Sequence, residues 1–238
     1  MNKSKVTAFT LAEVLITLGI IGVVAAMTIP NLISSVGGAE YRAQFKKTLS
    51  TVNQANLMGK AQYGYSVRTM KSEYRPTADN QDPAKNRNLY ALFAGTMNGE
   101  WNLQECNPGA SGCDYTNEIR KYADSIMYAF KMADGSEIYT GYWLATKGQN
   151  TGCKIGKAGC IGWIDVNGAA SGPNELVKCS DGTTLDYIKG PGTMQGVINP
   201  QYKDCEVSDD TIGDLFPYFV DGDSFVPLSN AARAVMSK

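Results

Sequence analysis

The first 62 residues fall into three zones that differ in how apolar and polar side chains are spaced. Residues 1–8 form a short polar segment whose only charges are Lys3 and Lys5. Residues 9–29 are almost all apolar, with Glu13 as the sole ionisable side chain. A helix of that length is about 31 Å long, which matches the hydrocarbon core of a bilayer. The pattern therefore predicts a membrane-spanning helix over residues 9–30.

Residues 31–62 continue the helical pattern in an amphipathic form. Phe45, Leu49 and Val52 recur at helical spacing, and polar side chains fill the other faces. The Gly37-Gly38 pair weakens this stretch, because each glycine costs a helix about 1 kcal/mol relative to alanine. Two alternatives follow for the whole helix. It either bends at its glycines and at Pro30, or stays straight with the glycines packed closely against neighbours.

Residues 63–238 carry the signals of a globular head. Residues 63–112 predict a loop region with one short helix, and two hairpins follow from turn sequences between strand-like runs. Pro227 is expected to stop the last strand. The predicted helix of the loop region covers residues 89–97, the strands cover 125–132, 137–144, 160–166, 215–220 and 224–226, and a terminal helix covers 229–236. The predicted fold class is α+β, with the amphipathic half of a long N-terminal helix packed on an antiparallel sheet.

Composition excludes several kinds of chemistry. The chain has no histidine, which rules out Ser-His-Asp triads and zinc sites of the Cys/His kind. Sequence signatures of a nucleophile elbow or a phosphate-binding loop are also missing, so no catalytic residue is assigned and an enzyme is not expected. The formal net charge is −1, with 22 basic and 23 acidic residues and no extended basic cluster. A nucleic-acid partner is therefore not indicated.

The cysteines indicate disulfides in an oxidising compartment, because their number is even and they all follow the apolar segment. Spacing alone leaves many connectivities open. Two pairs would each close a short glycine-containing loop, and the remaining pair would close a longer loop. The suggested pairs are Cys106–Cys113, Cys153–Cys160 and Cys179–Cys205.

Glu13 is the feature of the apolar segment that most needs an explanation. A secretory signal peptide would have a shorter apolar region and a small-residue cleavage site after it. A plain signal anchor fits the length but leaves the carboxylate without a role. An ionisable group within a membrane helix is costly and indicates a functional site. Its natural partner is a positive charge that can reach it inside the membrane.

The run from Ala8 to Glu13 (AFTLAE), the apolar stretch after it and Pro30 resemble the N-terminal signature of type IV pilins and of the pseudopilins of type II secretion. The resemblance implies that a prepilin peptidase cuts between Ala8 and Phe9 and that the new amine of Phe9 is methylated. It also implies assembly roles for Glu13, Gly22 and Pro30. Alanine stands here where the family usually has glycine before the cut.

Together with the need of Glu13 for a positively charged partner, the resemblance predicts an ion pair between subunits. The amine of Phe9 in one subunit would neutralise Glu13 of its neighbour, because an uncompensated buried carboxylate costs several kcal/mol. The implied segments are a leader over residues 1–8, an assembly helix over 9–30, its amphipathic continuation over 31–62 and a head over 63–238. Lysines before the apolar stretch predict that the N-terminus lies on the cytoplasmic side of the inner membrane and the head on the periplasmic or extracellular side.

One stretch of the head invites a metal hypothesis. Asp165, Asn167 and Glu175 offer oxygen ligands around a glycine-rich turn, and calcium takes six to eight oxygens from such groups. The stretch resembles a loop of pseudopilin heads, some of which bind calcium nearby. The alternative is a turn in which Asp165 and Asn167 bond their own backbone. No other cofactor is expected.

The leading functional hypothesis is a structural filament subunit, either a pilin or a pseudopilin. Its partners would be copies of itself or other pilins, the prepilin peptidase, the membrane, and an assembly platform with its ATPase. The alternative is a signal-anchored extracytoplasmic binding module or adhesin that does not polymerise. The alternative predicts an intact N-terminus and a head that works on any membrane anchor.

Overall fold

The computed structural model describes residues 10–71, 73, 75–103, 127–141, 161–183, 204–209 and 212–237. The architecture is α+β, with one long N-terminal helix and a six-stranded antiparallel sheet. Cys106, Cys113, Cys153 and Cys160 lie outside the described residues, as do the two disulfides suggested for them.

The N-terminal helix α1 spans Leu11–Tyr63 and is 53 residues long, which corresponds to about 80 Å. Thr10 caps its first turn, and Gly64 ends it in the left-handed conformation with φ at +71°. The helical backbone continues through Gly22, Pro30 and the Gly37-Gly38 pair. The helix therefore ends one residue beyond the limit predicted from the sequence.

The two halves of α1 differ in what covers them. From Phe45 to Gly59 the buried positions recur at helical spacing, and Phe45, Leu49 and Val52 are at most 3% exposed. This confirms the predicted amphipathic face. From Leu11 to Thr28 no residue is buried. One continuous helix thus has a half that belongs to the head and a half that has no partner within the described chain.

The sheet is a simple meander in which sequential strands are neighbours, in the order β1 to β6. All the pairings are antiparallel. The strands are β1 Gly99–Trp101, β2 Met127–Met132, β3 Glu137–Gly141, β4 Ile161–Asp165, β5 Leu215–Asp221 and β6 Ser224–Pro227. Outside the sheet, the described residues also contain a 3₁₀ turn at Ala78–Asn80 and the short helices α2 Leu89–Thr96 and α3 Asn230–Ser237.

These elements confirm the predicted hairpins and both predicted short helices to within a few residues. The ends of the predicted strands at residues 125–126, 142–144 and 160 lie outside the described residues. One expectation was wrong, since strand β1 lies inside the stretch expected to be a loop region. Strand β6 ends at Pro227, as expected, one residue beyond the predicted limit at residue 226. Proline is accommodated there because β6 is an edge strand, whose outer side needs no N–H donor.

The core forms where α1, α2 and one face of the sheet meet. Phe45 of α1 stacks on Phe216 of β5, with ring centroids 4.2 Å apart and planes at 11°. On α2, Phe93 stacks on Trp101 at 5.6 Å, and the Trp101 indole N–H donates to the Tyr90 carbonyl at 2.9 Å. Such aromatic contacts each bury a large apolar area and add a specific geometry. They fix both helices on the sheet.

Polar groups of α1 fix its position along the sheet. The side-chain amide of Asn53 pairs with the backbone of Phe225, donating to its carbonyl at 2.9 Å and accepting from its N–H at 2.9 Å. Asn56 donates to the Asp223 carbonyl at 2.7 Å and accepts from the Val67 N–H at 2.7 Å. Buried amides need such partners. The contacts tie the helix to the turn between β5 and β6.

A short segment crosses α1 where the buried half begins. Residues 204–209, here named the strap, are joined to the chain after β4 by the disulfide Cys179–Cys205, which confirms that predicted pair. Arg42 forms an ion pair with Asp209 and also donates to the Val207 carbonyl at 3.3 Å. The strap lies so close to the helix that a Cβ atom at Gly38 would overlap the Asp209 backbone.

This close approach gives a prediction with a matched control. Gly38→Ala should lower the stability of the detergent-solubilised chain by about 1–3 kcal/mol, because the strap must move to admit the methyl group. Gly37→Ala should leave stability unchanged or raise it, since the space around position 37 is open and alanine favours helix. Thermal unfolding followed by circular dichroism measures both. Equal effects of the two substitutions would contradict the described position of the strap.

Candidate functional sites

The first candidate site is the exposed half of α1, residues 11–28, here named the stem. Its mean hydropathy is 2.2, and none of it is buried. Leu11 is 79% exposed and Met27 is 71% exposed. The stem is the one helix within the described residues that is long and apolar enough to cross a membrane. So large a continuous apolar surface is not stable in water and requires lipid or another protein around it.

Glu13 occupies a defined place at the start of the stem. The backbone N–H and the hydroxyl of Thr10 both donate to Glu13 Oε2 at 2.8 Å, and the Glu13 N–H donates to Thr10 Oγ1 at 3.3 Å. This reciprocal pairing is a capping box. A threonine and a glutamate three residues apart are the sequence signature of this box, although Glu13 was expected to have only an intersubunit role. Within the subunit, the carboxylate stabilises the first turn of the helix.

The other residues of the N-terminal motif are placed as follows. Ala8 and Phe9 lie outside the described residues. Gly22 is part of the stem, and apart from the adjacent backbone of the helix no atom lies within 4 Å of the place where its Cβ would be. The helical backbone runs through Pro30. The glycine at position 22 is therefore not required by packing within this subunit, and the space beside it is open to a neighbour.

The second candidate site is the loop that leaves β4, residues 165–175, here named the Asp165 loop. Asp165 Oδ1 accepts the N–H groups of Asn167 at 3.3 Å and Gly168 at 2.8 Å. Gly168 has φ at +79°, and a side chain there would lie 2.5 Å from the Gly135 carbonyl oxygen. The turn that was expected as the alternative to a metal site, in which Asp165 accepts from the backbone of its own loop, is thus observed. It accounts for only one of the two carboxylate oxygens.

A second carboxylate, Asp214, lies next to this loop. In the β4–β5 register Asp165 is opposite Leu215, and the Val166 N–H donates to the Asp214 carbonyl at 3.0 Å. The side chain of Asp214 accepts the N–H groups of Asn174 and Glu175, each at 2.9 Å. Both aspartates are 0% exposed. Asp214 therefore holds the far end of the loop against the start of β5.

Three buried oxygens of the loop have no hydrogen-bond donor among the described residues. They are Asp165 Oδ2, Asn167 Oδ1 and Asn174 Oδ1. The amide nitrogens of the two asparagines are satisfied, since Asn167 donates to the Gly172 carbonyl at 3.2 Å and Asn174 to the Ala169 carbonyl at 3.1 Å. Unsatisfied buried polar atoms are rare and costly. All three are acceptors, which is the chemistry that a hard cation takes.

The electrostatics of the loop follow from burial of like charges. Burial first, and then the nearby charge of Asp214, raise the pKa of Asp165 to about 7, although two backbone N–H groups oppose the shift. Burial also raises the pKa of Asp214 against the hydrogen bonds that it accepts. Each carboxylate is therefore destabilised in its charged form, and a positive charge in the loop would relieve both.

The loop also contacts α1. Asn167 Nδ2 donates to the hydroxyl of Tyr41 at 3.4 Å. Burial, together with the charges of Asp214 and Glu40, raises the pKa of the Tyr41 hydroxyl, so it stays protonated in the physiological range. Tyr41 stands one helical turn from Phe45 on the part of α1 that the head covers. The Asp165 loop thus contacts α1 close to the residues that pack the helix against the head.

The residues predicted as calcium ligands do not all meet. Asp165 and Asn167 lie together, whereas the side chain of Glu175 is 58% exposed and lies 3.5 Å from Lys178 Nζ. No cluster of three or more acidic, cysteine or histidine side chains suited to a metal exists within the described residues. Sequence reasoning missed Asn174 and Asp214. Asn174 belongs to the same loop motif, but Asp214 is distant in sequence and gives no local signal.

Comparisons with protein-family models, with curated proteins and with solved structures find no match for this chain. Its function is therefore inferred from the chain's own residues and their arrangement.

The buried aspartates predict an unusual dependence of stability on pH. A folded-state pKa of about 7 for Asp165, against an ordinary value near 3.8, means that the folded chain holds its proton more tightly than the unfolded chain. Asp165 therefore contributes stability below about pH 4, and this contribution is lost as the pH rises towards 7. The loss is about 1.4 kcal/mol for each unit by which the folded-state pKa exceeds the ordinary value.

The measurement is the melting temperature of the full chain with a chelator present, across that pH range. Asp165→Asn, which resembles the protonated form, should melt higher than the original chain at pH 7 and should flatten the difference between pH 4 and 7. Asp214, Tyr41 and Glu137 also face this carboxyl group and remain in the variant. A variant that melts lower than the original chain at pH 7 would contradict the assigned charge burial.

Proposed function

We propose that the chain is a structural subunit of a type IV pilin or pseudopilin filament, anchored in the cytoplasmic membrane by its stem until it is assembled. The observation that carries the proposal is the stem itself, an entirely exposed apolar half-helix continuous with a half-helix that belongs to the core of a folded head. The stem needs lipid before assembly, and neighbouring stems can replace that lipid in a filament.

The continuity of α1 supports a mechanical role. Force on the stem passes along one helix into the head, where α1 is held by aromatic stacking and by the amide pairing of Asn53 with β6. A flexible anchor would need no such rigid connection. The helix also has small residues within the stem, where Gly19 and Gly22 leave open space. Helices approach one another closely at such positions in an apolar environment.

Glu13 supports polymerisation over simple anchoring. A carboxylate in an apolar stem is costly unless a cation reaches it. The proposed cleavage before Phe9 would create an ammonium group at the membrane face, and in a filament this group can meet the Glu13 of a neighbour. The N-terminal apolar helix taken alone fits a membrane anchor or a signal sequence equally well. In either of those roles Glu13 would only cap the first turn of the helix, whereas a filament also offers its charge a cationic partner in the neighbouring subunit.

The test of this function is the exact mass of the N-terminal peptide from protein sheared off cells that express the chain natively. A peptide that begins at a methylated Phe9 in the sheared fraction is the expected result. A peptide that begins at Met1 and is found only in membranes would favour the anchored binding module that does not polymerise.

Two substitutions separate the two roles of Glu13. Glu13→Gln keeps a side-chain oxygen for the capping box but removes the charge, so the protein should insert normally and enter filaments poorly. Thr10→Ala removes the cap and keeps the charge, which should cost the first turn about 1 kcal/mol and leave filament entry largely intact.

The measurement compares the amount of each variant in the sheared fraction with the amount in membranes. Equal incorporation of Glu13→Gln and the original chain would exclude a role for the charge in assembly. A loss of incorporation in Thr10→Ala alone would mean that capping, and not pairing, is what assembly requires.

A further inference from the structure

We propose that the heads of two subunits in the filament meet end to end, with the basic far end of one head against the acidic stem end of the other. This contact rests on the proposed function, since a second copy of the chain is the partner of both ends. It adds a contact between heads to the contact between stems, and it gives the heads one orientation.

The far end of the head carries exposed cations. The described residues between 64 and 88, here named the distal loop, follow the end of α1 at Tyr63. The Val67 N–H donates to Asn56 Oδ1 at 2.7 Å, which holds the loop against that end of the helix. The Lys71 N–H donates to the Arg87 carbonyl, so these two residues are neighbours. Four exposed cations of the loop have no ion pair within the described residues, and these are Arg68, Lys71, Arg75 and Arg87.

The acidic residues of this end do not neutralise the cations. Asp82 is paired with Lys85 at 3.1 Å, and Asp223 lies 3.6 Å from Lys60 Nζ. The distal loop has two further acids among its described residues, which are Glu73 and Asp79. The distal loop therefore has an excess of positive charge, although the formal net charge of the whole chain is −1.

The stem end of the head is acidic. The strap carries Asp204 and Glu206, whose side chains are both exposed, and it crosses α1 where the buried half begins. Ser180 donates two hydrogen bonds to the Glu206 carbonyl, from its N–H at 2.7 Å and from its hydroxyl at 2.9 Å, and so brings the exposed Asp181 beside the strap. These three acids, together with the exposed Glu40 of α1, are here named the acidic rim.

Two cations next to the acidic rim already have partners within the subunit. Arg42 pairs with Asp209 of the strap, and Lys178 Nζ lies 3.5 Å from Glu175. Among the described residues, the rim therefore has an excess of negative charge. The two ends of the head thus carry opposite charges. Complementary charges steer association and select one orientation of the partners.

The length of the head sets the shift between the two subunits. From Gly38 at the strap to Tyr63 at the distal loop, α1 extends about 38 Å. A copy displaced outwards by about that length brings its acidic rim over the distal loop of the first subunit. Because each subunit uses a different end, the contact is heterologous, and such contacts build an open helical filament unless the rotation closes a ring.

An exposed apolar pair on α1 fits the same shift. Leu57 is 64% exposed and Met58 is 41% exposed, although both lie in the half of α1 that packs against the head. A copy displaced by about 38 Å has the outer end of its stem close to the level of this pair. The stem of the copy then offers the apolar cover that the pair lacks within the described subunit.

A second copy fits the head better than an unrelated acidic polymer does. A polymer such as nucleic acid calls for an extended basic surface, and the four cations of the distal loop do not form one. It would also leave the acidic rim without a partner. A second copy of the chain uses both ends of the head.

The experiment reverses the charges of each end in the full chain, in cells that otherwise assemble it natively. The distal variant is Arg68→Glu with Lys71→Glu, and the rim variant is Asp204→Lys with Glu206→Lys. Each should enter the sheared fraction at least about fivefold less than the original chain, because attraction between exposed charges becomes repulsion. A chain that carries all four substitutions should recover incorporation, since its two ends are complementary again.

The control is Lys131→Glu, which reverses an exposed charge of the sheet and should leave incorporation unchanged. Circular dichroism and the melting temperature of each purified variant show whether its head is folded. Recovery in the chain with four substitutions cannot come from a folding defect, so it separates a contact between charges from a structural role of the residues.

Equal incorporation of the distal variant and the original chain would overturn the end-to-end contact and leave the proposed function standing. A chain with four substitutions that stays as low as either variant would also overturn it, and would mean that the two ends meet other partners. If the original chain never reaches the sheared fraction, the proposed function fails and the end-to-end contact fails with it.

Discussion

The packing of the second half of α1 against the sheet is the interaction on which the rest of the structure depends. Phe45 stacks on Phe216 at the centre of this contact, and the side-chain amide of Asn53 extends the hydrogen bonding of β6 to the helix. The strap holds the same helix where its buried half begins. Because α1 is continuous, this packing also sets the direction in which the stem leaves the head.

The stem has the opposite property, since nothing within the described chain covers it. Apolar burial contributes about 25 cal/mol for each Å² removed from water, so a helix of exposed leucine, isoleucine and valine side chains has a strong tendency to associate. Lipid and neighbouring stems are both apolar surroundings, and transfer between them costs little. The proposed filament subunit can therefore be stored in a membrane and moved into a filament without unfolding its head.

The head adds a second constraint, which is the burial of two aspartates at the β4–β5 junction. Burying like charges is costly and is tolerated where hydrogen bonds or a cation compensate. Asp214 is compensated by backbone N–H groups, whereas Asp165 is compensated on one oxygen only. The uncompensated oxygen lies in the loop whose Asn167 contacts Tyr41 of α1. The loop thus contacts the helix that carries the stem.

Much of this fold follows from local patterns that the sequence displays. The helical spacing of Phe45, Leu49 and Val52 identifies the buried face of α1, and the glycine-containing turns locate the hairpins. Strand β1 was missed because its three residues are too few to form an alternating pattern, and they need β2 beside them. Asp214 was missed for a similar reason, since sheet register alone brings it beside Asp165. The ion pair of Arg42 with the strap likewise joins residues that are far apart in the chain.

The most direct test of the central claim is to identify what surrounds the stem in native cells. A photoreactive amino acid at Leu18, which is 60% exposed, reports the molecules in contact with the stem, and the same group at the exposed Lys131 of the sheet serves as control. A filament subunit predicts a ladder of cross-linked copies of the chain, or adducts with other subunits, in the sheared fraction from position 18. Adducts with lipid alone, with no cross-linked protein at position 18, would contradict the account.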